Sequence, residues 1–94
     1  MHVRWLRAAL ENLNAEAEYS ARDNPDAAKR IVARISEAVL NLATYPALGR
    51  PGRVSGTREL VVPGTPYIIP YQVRGDEIEI VRIFHAARRW PKKF

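Results

Sequence analysis

The stretch from Asn24 to Tyr45 constrains this chain more than any other. Ala28, Ile31, Val32, Ile35, Ala38, Val39 and Leu42 recur at helical spacing, while Lys29, Arg30, Arg34, Glu37 and Asn41 take the opposite side. Asn24 suits an N-cap, Pro25 the first helical position and Asp26 the positive end of the helix dipole. Tyr45-Pro46 ends the run. A helix with one apolar stripe must bury it against another layer. A second helical period precedes it. Leu6, Ala9, Leu10, Leu13 and Ala17 share one face and Arg7, Glu11 and Glu18 lie away from it, with an end expected near Arg22-Asp23. Two such helices joined at Asn24 predict an antiparallel αα-hairpin.

The period changes to two on either side of the hairpin. His2–Trp5 alternates as a short strand. Residues 46–56 carry three Gly and two Pro and read as a loop. Strands are then expected over 57–62, 67–73 and 77–84, joined by Pro63-Gly64-Thr65-Pro66 and by Arg74-Gly75-Asp76. Connections this short imply antiparallel neighbours. The expected class is α+β, in the order β-α-α-β-β-β, with the helical hairpin on one face of an antiparallel sheet and residues 1–94 as a single domain. Two features disturb a regular sheet. Pro70 removes a ladder donor, which requires an open edge or a bulge. The last strand is apolar on both sides: Ile78, Ile80 and Phe84 share a parity with Arg82, while Val81 and Ile83 lie opposite. Helices can cover only one of these faces, and a partner protein is a candidate cover for the other.

Charge is unevenly placed. The net charge is +5. Residues 1–49 hold six Lys/Arg and six Asp/Glu, whereas residues 50–94 hold nine and four, so the whole excess lies in the second half. A basic face of this kind suits nucleic acid or an acidic protein. The chain has no cysteine, which excludes disulfides and thiolate-bound metals. No apolar run has the form of a signal peptide or the length of a membrane span, so a cytoplasmic location with no membrane contact is expected.

Chemistry-bearing residues are few. His2 lies near the terminus and His85 near the end of the last strand, with no second ligand at metal-binding spacing. No phosphate-binding glycine loop leads into a helix, so no cofactor is expected. Metal-free RNA cleavage needs a base, an acid and a cation for the phosphate. Arg58, Tyr67, Tyr71, Arg82, His85 and Arg88 could supply these if they converge. The tail from Arg88 to Phe94 interleaves cations with aromatics, which suits phosphate contact with stacking or packing of Trp90 over the domain.

Taken together, these segments resemble the RelE/ParE toxin family. The likeness is carried by Gly56-Thr57-Arg58-Glu59-Leu60-Val61-Val62, Pro66-Tyr67, Tyr71-Gln72-Val73 and the closing run from Ile80 to Pro91. Asn24-Pro25-Asp26-Ala27-Ala28 and Tyr45-Pro46-Ala47-Leu48-Gly49-Arg50 are similar to the family's helix start and inter-element loop. The family's element order is the one that periodicity predicts.

The resemblance implies a toxin of a type II toxin–antitoxin pair. RelE-like members cut messenger RNA at the ribosome, and ParE-like members act on DNA gyrase. The nuclease branch places an arginine where Ile68 stands and lysines where Glu59 and Val61 stand, which favours the ParE-like branch. On that branch Arg82, His85, Arg88, Arg89 and Trp90 are the implied target-binding residues. The alternative, a metal-free endoribonuclease, would rest on His85, Arg88, Arg58 and Tyr67. Either branch implies a ParD-like antitoxin, which would link the complex to operator DNA. The surface expected to meet it includes Leu13, Ala17, Ile31, Arg34, Val81 and Ile83.

Overall fold

A computed structural model describes residues 1–87 and 89–94. In chain order its elements are β1 (His2–Trp5), α1 (Arg7–Asp23), α2 (Pro25–Thr44), β2 (Arg50–Pro51), β3 (Arg58–Val61), β4 (Tyr67–Arg74), β5 (Glu77–Ile80) and β6 (Phe84–His85). Asn24 serves both helices. Its backbone N–H donates to the Ser20 carbonyl at the end of α1, and its side-chain oxygen accepts from the Asp26 and Ala27 N–H groups at 3.1 and 3.2 Å. One extended residue thus stops one helix and caps the next. Among the described residues no helix is long and apolar enough to cross a membrane.

The strands form one sheet in the order β1-β5-β4-β3-β2, with β6 also pairing with β4. The architecture is α+β, with two helices on a mixed sheet. It departs from the expected all-antiparallel sheet in one pair, because β1 runs parallel to β5, Val3 opposite Ile78 and Trp5 opposite Ile80. A parallel pair needs a long crossover, and the chain between these strands supplies one. The short-connection rule applies only from β3 onward, and there it holds.

The strand expected over 77–84 is broken. Ile80 lies opposite Tyr71, and Phe84 lies opposite Ile68. Three residues on one strand therefore face two on the other, which is a bulge. Pro70 explains its position. The Val81 N–H donates to the Pro70 carbonyl at 3.0 Å. In an antiparallel pair the N–H of residue 70 would return a bond to the Val81 carbonyl, and proline has none to give. The Arg82 guanidinium fills that vacancy, donating to the Val81 carbonyl at 2.7 Å. Across the bulge the Ile83 N–H donates to Asn12 Oδ1 of α1 at 3.1 Å.

The core lies between the hairpin and one sheet face. Ile35, Val39 and Leu42 of α2 meet Leu60, Val62, Tyr67, Ile69, Tyr71, Ile78, Ile80 and Ile83, with Leu13, Ile31 and Ala38 packed at the margin. Each fully buried aliphatic side chain here contributes about 1.5–3 kcal/mol. The α1 stripe is rotated from the one expected. Leu10 faces solvent, whereas Ala9 and Glu16 are buried. Asn12 and Glu16 bond inward to the sheet, so polar residues occupy part of the face that apolar spacing would assign to carbon.

Candidate functional site

The second sheet face is covered by the chain's own loop and tail. Phe84 projects there from β6, with its ring 4.6 Å from Trp90 and 5.8 Å from Phe94. The Arg53 guanidinium sits 3.9 Å over the Trp90 ring, and the Arg82 guanidinium lies 5.7 Å from the Phe94 ring. Of the two arrangements open to the tail, packing over the domain is the one found. Arg89, Lys92 and Lys93 are left exposed on this covering layer. Trp90 Nε1 is buried with no hydrogen-bond partner among the described residues.

Beneath the loop lies a carboxylate. Glu59 is only 2% exposed. Its Oε1 accepts from Arg50 Nε and Nη2 at 3.3 and 3.2 Å, and its Oε2 accepts from the Arg53 N–H at 2.7 Å. Arg53 Nε adds an ion pair at 3.6 Å. Gly52 and Thr57 close the loop, the Gly52 N–H donating to the Thr57 carbonyl at 2.8 Å. The position where a nuclease would place a lysine thus holds the anion that organises this loop. Ile68, where a nuclease would place an arginine, is buried and stands opposite Phe84 as its strand partner.

The residues proposed for RNA cleavage divide between the start and the middle of β4. At one end Tyr67 stands opposite His85, their rings 5.9 Å apart and edge to face. Tyr67 Oη donates to Glu16 Oε2 at 2.9 Å, and His85 Nδ1 accepts from the Ala87 N–H at 3.2 Å. In the middle of the strand Arg58 stands opposite Tyr71. Four residues of strand separate them, roughly 13 Å. Arg58 donates to the Gly49 carbonyl at 2.8 Å. Tyr71 Oη is held between the Gly49 N–H and the Pro46 carbonyl, both at 2.8 Å. Burial raises the Tyr71 pKa above 10.0, against the Gly49 N–H and the Arg58 charge, which lower it. Gly49 is required here, because a Cβ would lie 2.6 Å from Tyr71 Cε1 and 2.8 Å from the Glu59 carbonyl. Arg82 is directed to the tail side, and Arg88 lies outside the described residues. Glu16 was missed from sequence. Its spacing of seven from Ala9 placed it on the buried stripe, and that was the available signal.

The helical hairpin carries apolar surface of its own. A groove between α1 and α2 is lined by Ala17, Ala21, Pro25, Ala28, Val32 and Ala33, with Glu18 and Lys29 beside them. A second depression runs between α2 and β3, past Ala38, Leu48, Leu60 and Val61. Next to it β2 pairs, among the described residues, with Arg58 and Glu59 alone, and Val61 is 48% exposed. Of the residues expected to meet an antitoxin, Ala17 lines the first groove. Leu13 and Ile31 are half-buried against the core, and Arg34 is exposed with a bond to the Pro63 carbonyl at 3.3 Å. Val81 and Ile83 correct the expectation. They are 5% and 2% exposed, covered by the tail layer and the helices respectively, and so present no open surface.

The small α+β domain thus presents an aromatic tail accompanied by cations and an apolar helical hairpin. Residues 3–90 match the family described as the ParE toxin of the type II toxin-antitoxin system, parDE. The chain belongs to that family. It is 51% identical over 90 residues to a putative toxin, Y4kP, of Sinorhizobium fredii, covering 96% of this chain and 93% of that protein. It is 41% identical over 86 residues to toxin RelE2 of Caulobacter vibrioides, covering 92% and 96%. A solved structure, the chromosomal ParDE TA system from P. aeruginosa, superposes with a TM-score of 0.81 at 34% identity, covering 90% of this chain and 95% of that one.

Proposed function

We propose that this toxin acts by binding DNA gyrase and so blocks DNA replication, and that a ParD-like antitoxin neutralises it in the cytoplasm. The observation that carries the target assignment is the covered second sheet face. There Arg53, Arg82, Arg89, Lys92 and Lys93 accompany three packed aromatic rings, concentrating the chain's excess charge on one layer. A basic and aromatic layer suits contact with an acidic or DNA-bearing target. The antitoxin assignment rests on the hairpin groove and on the open edge beside Val61, which fit an amphipathic helix and an extended segment. Operator DNA would be reached through the antitoxin alone. The test is a supercoiling assay with purified gyrase. Inhibition with trapped cleavage complexes is expected, and their absence at micromolar toxin would overturn the target.

The Tyr67–His85 pair beside Glu16 gives the nuclease reading its one foothold. That reading needs Arg58, which stands on β3 opposite Tyr71, four residues along β4 from Tyr67, and bonds to Gly49. Primer extension on translated messages is therefore expected to show no toxin-dependent cuts.

A further inference from the structure

Glu59, Arg53 and Trp90 form a continuous line from the sheet to the tail. Glu59 lies on the second sheet face opposite Pro70 and is closed off from solvent. It grips Arg53 twice, through the backbone N–H at 2.7 Å and through Nε at 3.6 Å. The Arg53 guanidinium then lies over Trp90, 3.9 Å from its ring centre and well inside cation–π range. Phe84 supports the same indole at 4.6 Å. The tail has no strand or helix of its own from Arg89 onward, so its position depends on such side-chain contacts.

We infer that Glu59 and Arg53 are positioning residues that hold the cationic C-terminal segment in its binding-competent place through Trp90. The inference rests on the reading that this segment engages the target. Glu59 cannot touch the target itself, because it is buried under the loop. Its role is to fix Arg53, whose planar guanidinium both pairs with the carboxylate and stacks on the indole. The carboxylate also places one of the four anions of the basic second half between two arginines. Without it two arginines would repel each other at the base of the tail.

The decisive variant is Glu59→Gln, made in a Trp5→Phe background so that Trp90 is the only tryptophan. It removes no cation and raises the net charge by one. If the basic surface acted by charge alone, gyrase inhibition would stay the same or rise. The positioning role predicts the reverse. Trp90 emission should shift to the red, trypsin should cut at Arg89 and Lys93 roughly tenfold faster, and inhibition should fall about tenfold. Arg53→Ala should reproduce all three effects. Arg53→Lys, which keeps the charge and the backbone bond but not the planar stack, should lie between it and the parent. Should Glu59→Gln fail to fold by circular dichroism, the two Arg53 variants carry the same comparison. Unchanged emission and cleavage in the variants would overturn the relay, and so would altered emission with undiminished inhibition. If the parent protein does not inhibit gyrase, the target assignment fails, and the relay is then judged on emission and proteolysis alone.

Discussion

The two faces of the sheet are covered in different ways. On one, α1 and α2 bury a continuous apolar surface centred on Ile35, Leu42, Ile69 and Ile80. On the other, a loop and a tail are held by one buried carboxylate, two arginines and three aromatic rings. The first cover is secondary structure stabilised by the hydrophobic effect, which is non-directional and cooperative. The second is irregular backbone held by a few directional contacts. Stability should therefore reside in the first face and activity in the second.

The sharpest way to break this contrast is to damage the helical side. Leu42→Ala should lower stability by about 3 kcal/mol through transfer and cavity terms, read as a fall in the thermal midpoint. Loss of toxicity without such a fall would show that the division is wrong. Tyr71→Phe comes next. It leaves the Gly49 N–H and the Pro46 carbonyl without their partner, at a cost of about 1–3 kcal/mol. Its pH dependence is also informative. The folded Tyr71 pKa is raised above the ordinary 10.0, so its neutral form is the one the fold favours. That stability is fully present below pH 10 and is lost as pH rises through the folded value. Alkaline melts of the parent should show this loss, and Tyr71→Phe should flatten it.

Asn24→Ala should cost about 1 kcal/mol, because it removes the cap shared with the Asp26 and Ala27 N–H groups. The smallest effect on stability belongs to the tail. Arg89→Glu combined with Lys93→Glu should change stability by no more than about 0.5 kcal/mol, since both side chains are exposed. Growth arrest should nevertheless weaken by about tenfold if the tail layer meets the target. A variant equally toxic to the parent would place target binding elsewhere and end the contrast between the faces.

How much of this was legible depends on the range of the interactions. The hairpin was, because Asn24-Pro25-Asp26 and the stripe from Ala28 to Leu42 act within a few residues of each other. The last three strand regions were legible for the same reason, since Arg74-Gly75-Asp76 and Pro63-Gly64-Thr65-Pro66 turn the chain locally. Pro70 signalled a bulge but not which strand would carry it. The site was less legible. The likeness at Ile80–Pro91 marked the tail as important, but no spacing linked Arg53 to Trp90. Val81 and Ile83 looked like free surface because alternation alone cannot say that a chain covers its own second face.

By itself, then, the sequence determined the order of the main elements, though not the short strand β2 inside the 46–56 loop or the break that separates β6 from β5, together with the cap at Asn24, the side of α2 that is buried and the excess of cations in the second half. These follow from backbone sterics, capping and hydrophobic period, which act over one or two turns. Only the tertiary structure decided that β1 would run parallel to β5, that Glu16 would turn inward to Tyr67, and that Glu59 would tie the loop beneath Trp90. Each of these joins residues brought together by folding, and a contact between such residues is set by which pairings satisfy buried polar groups and fill space at once.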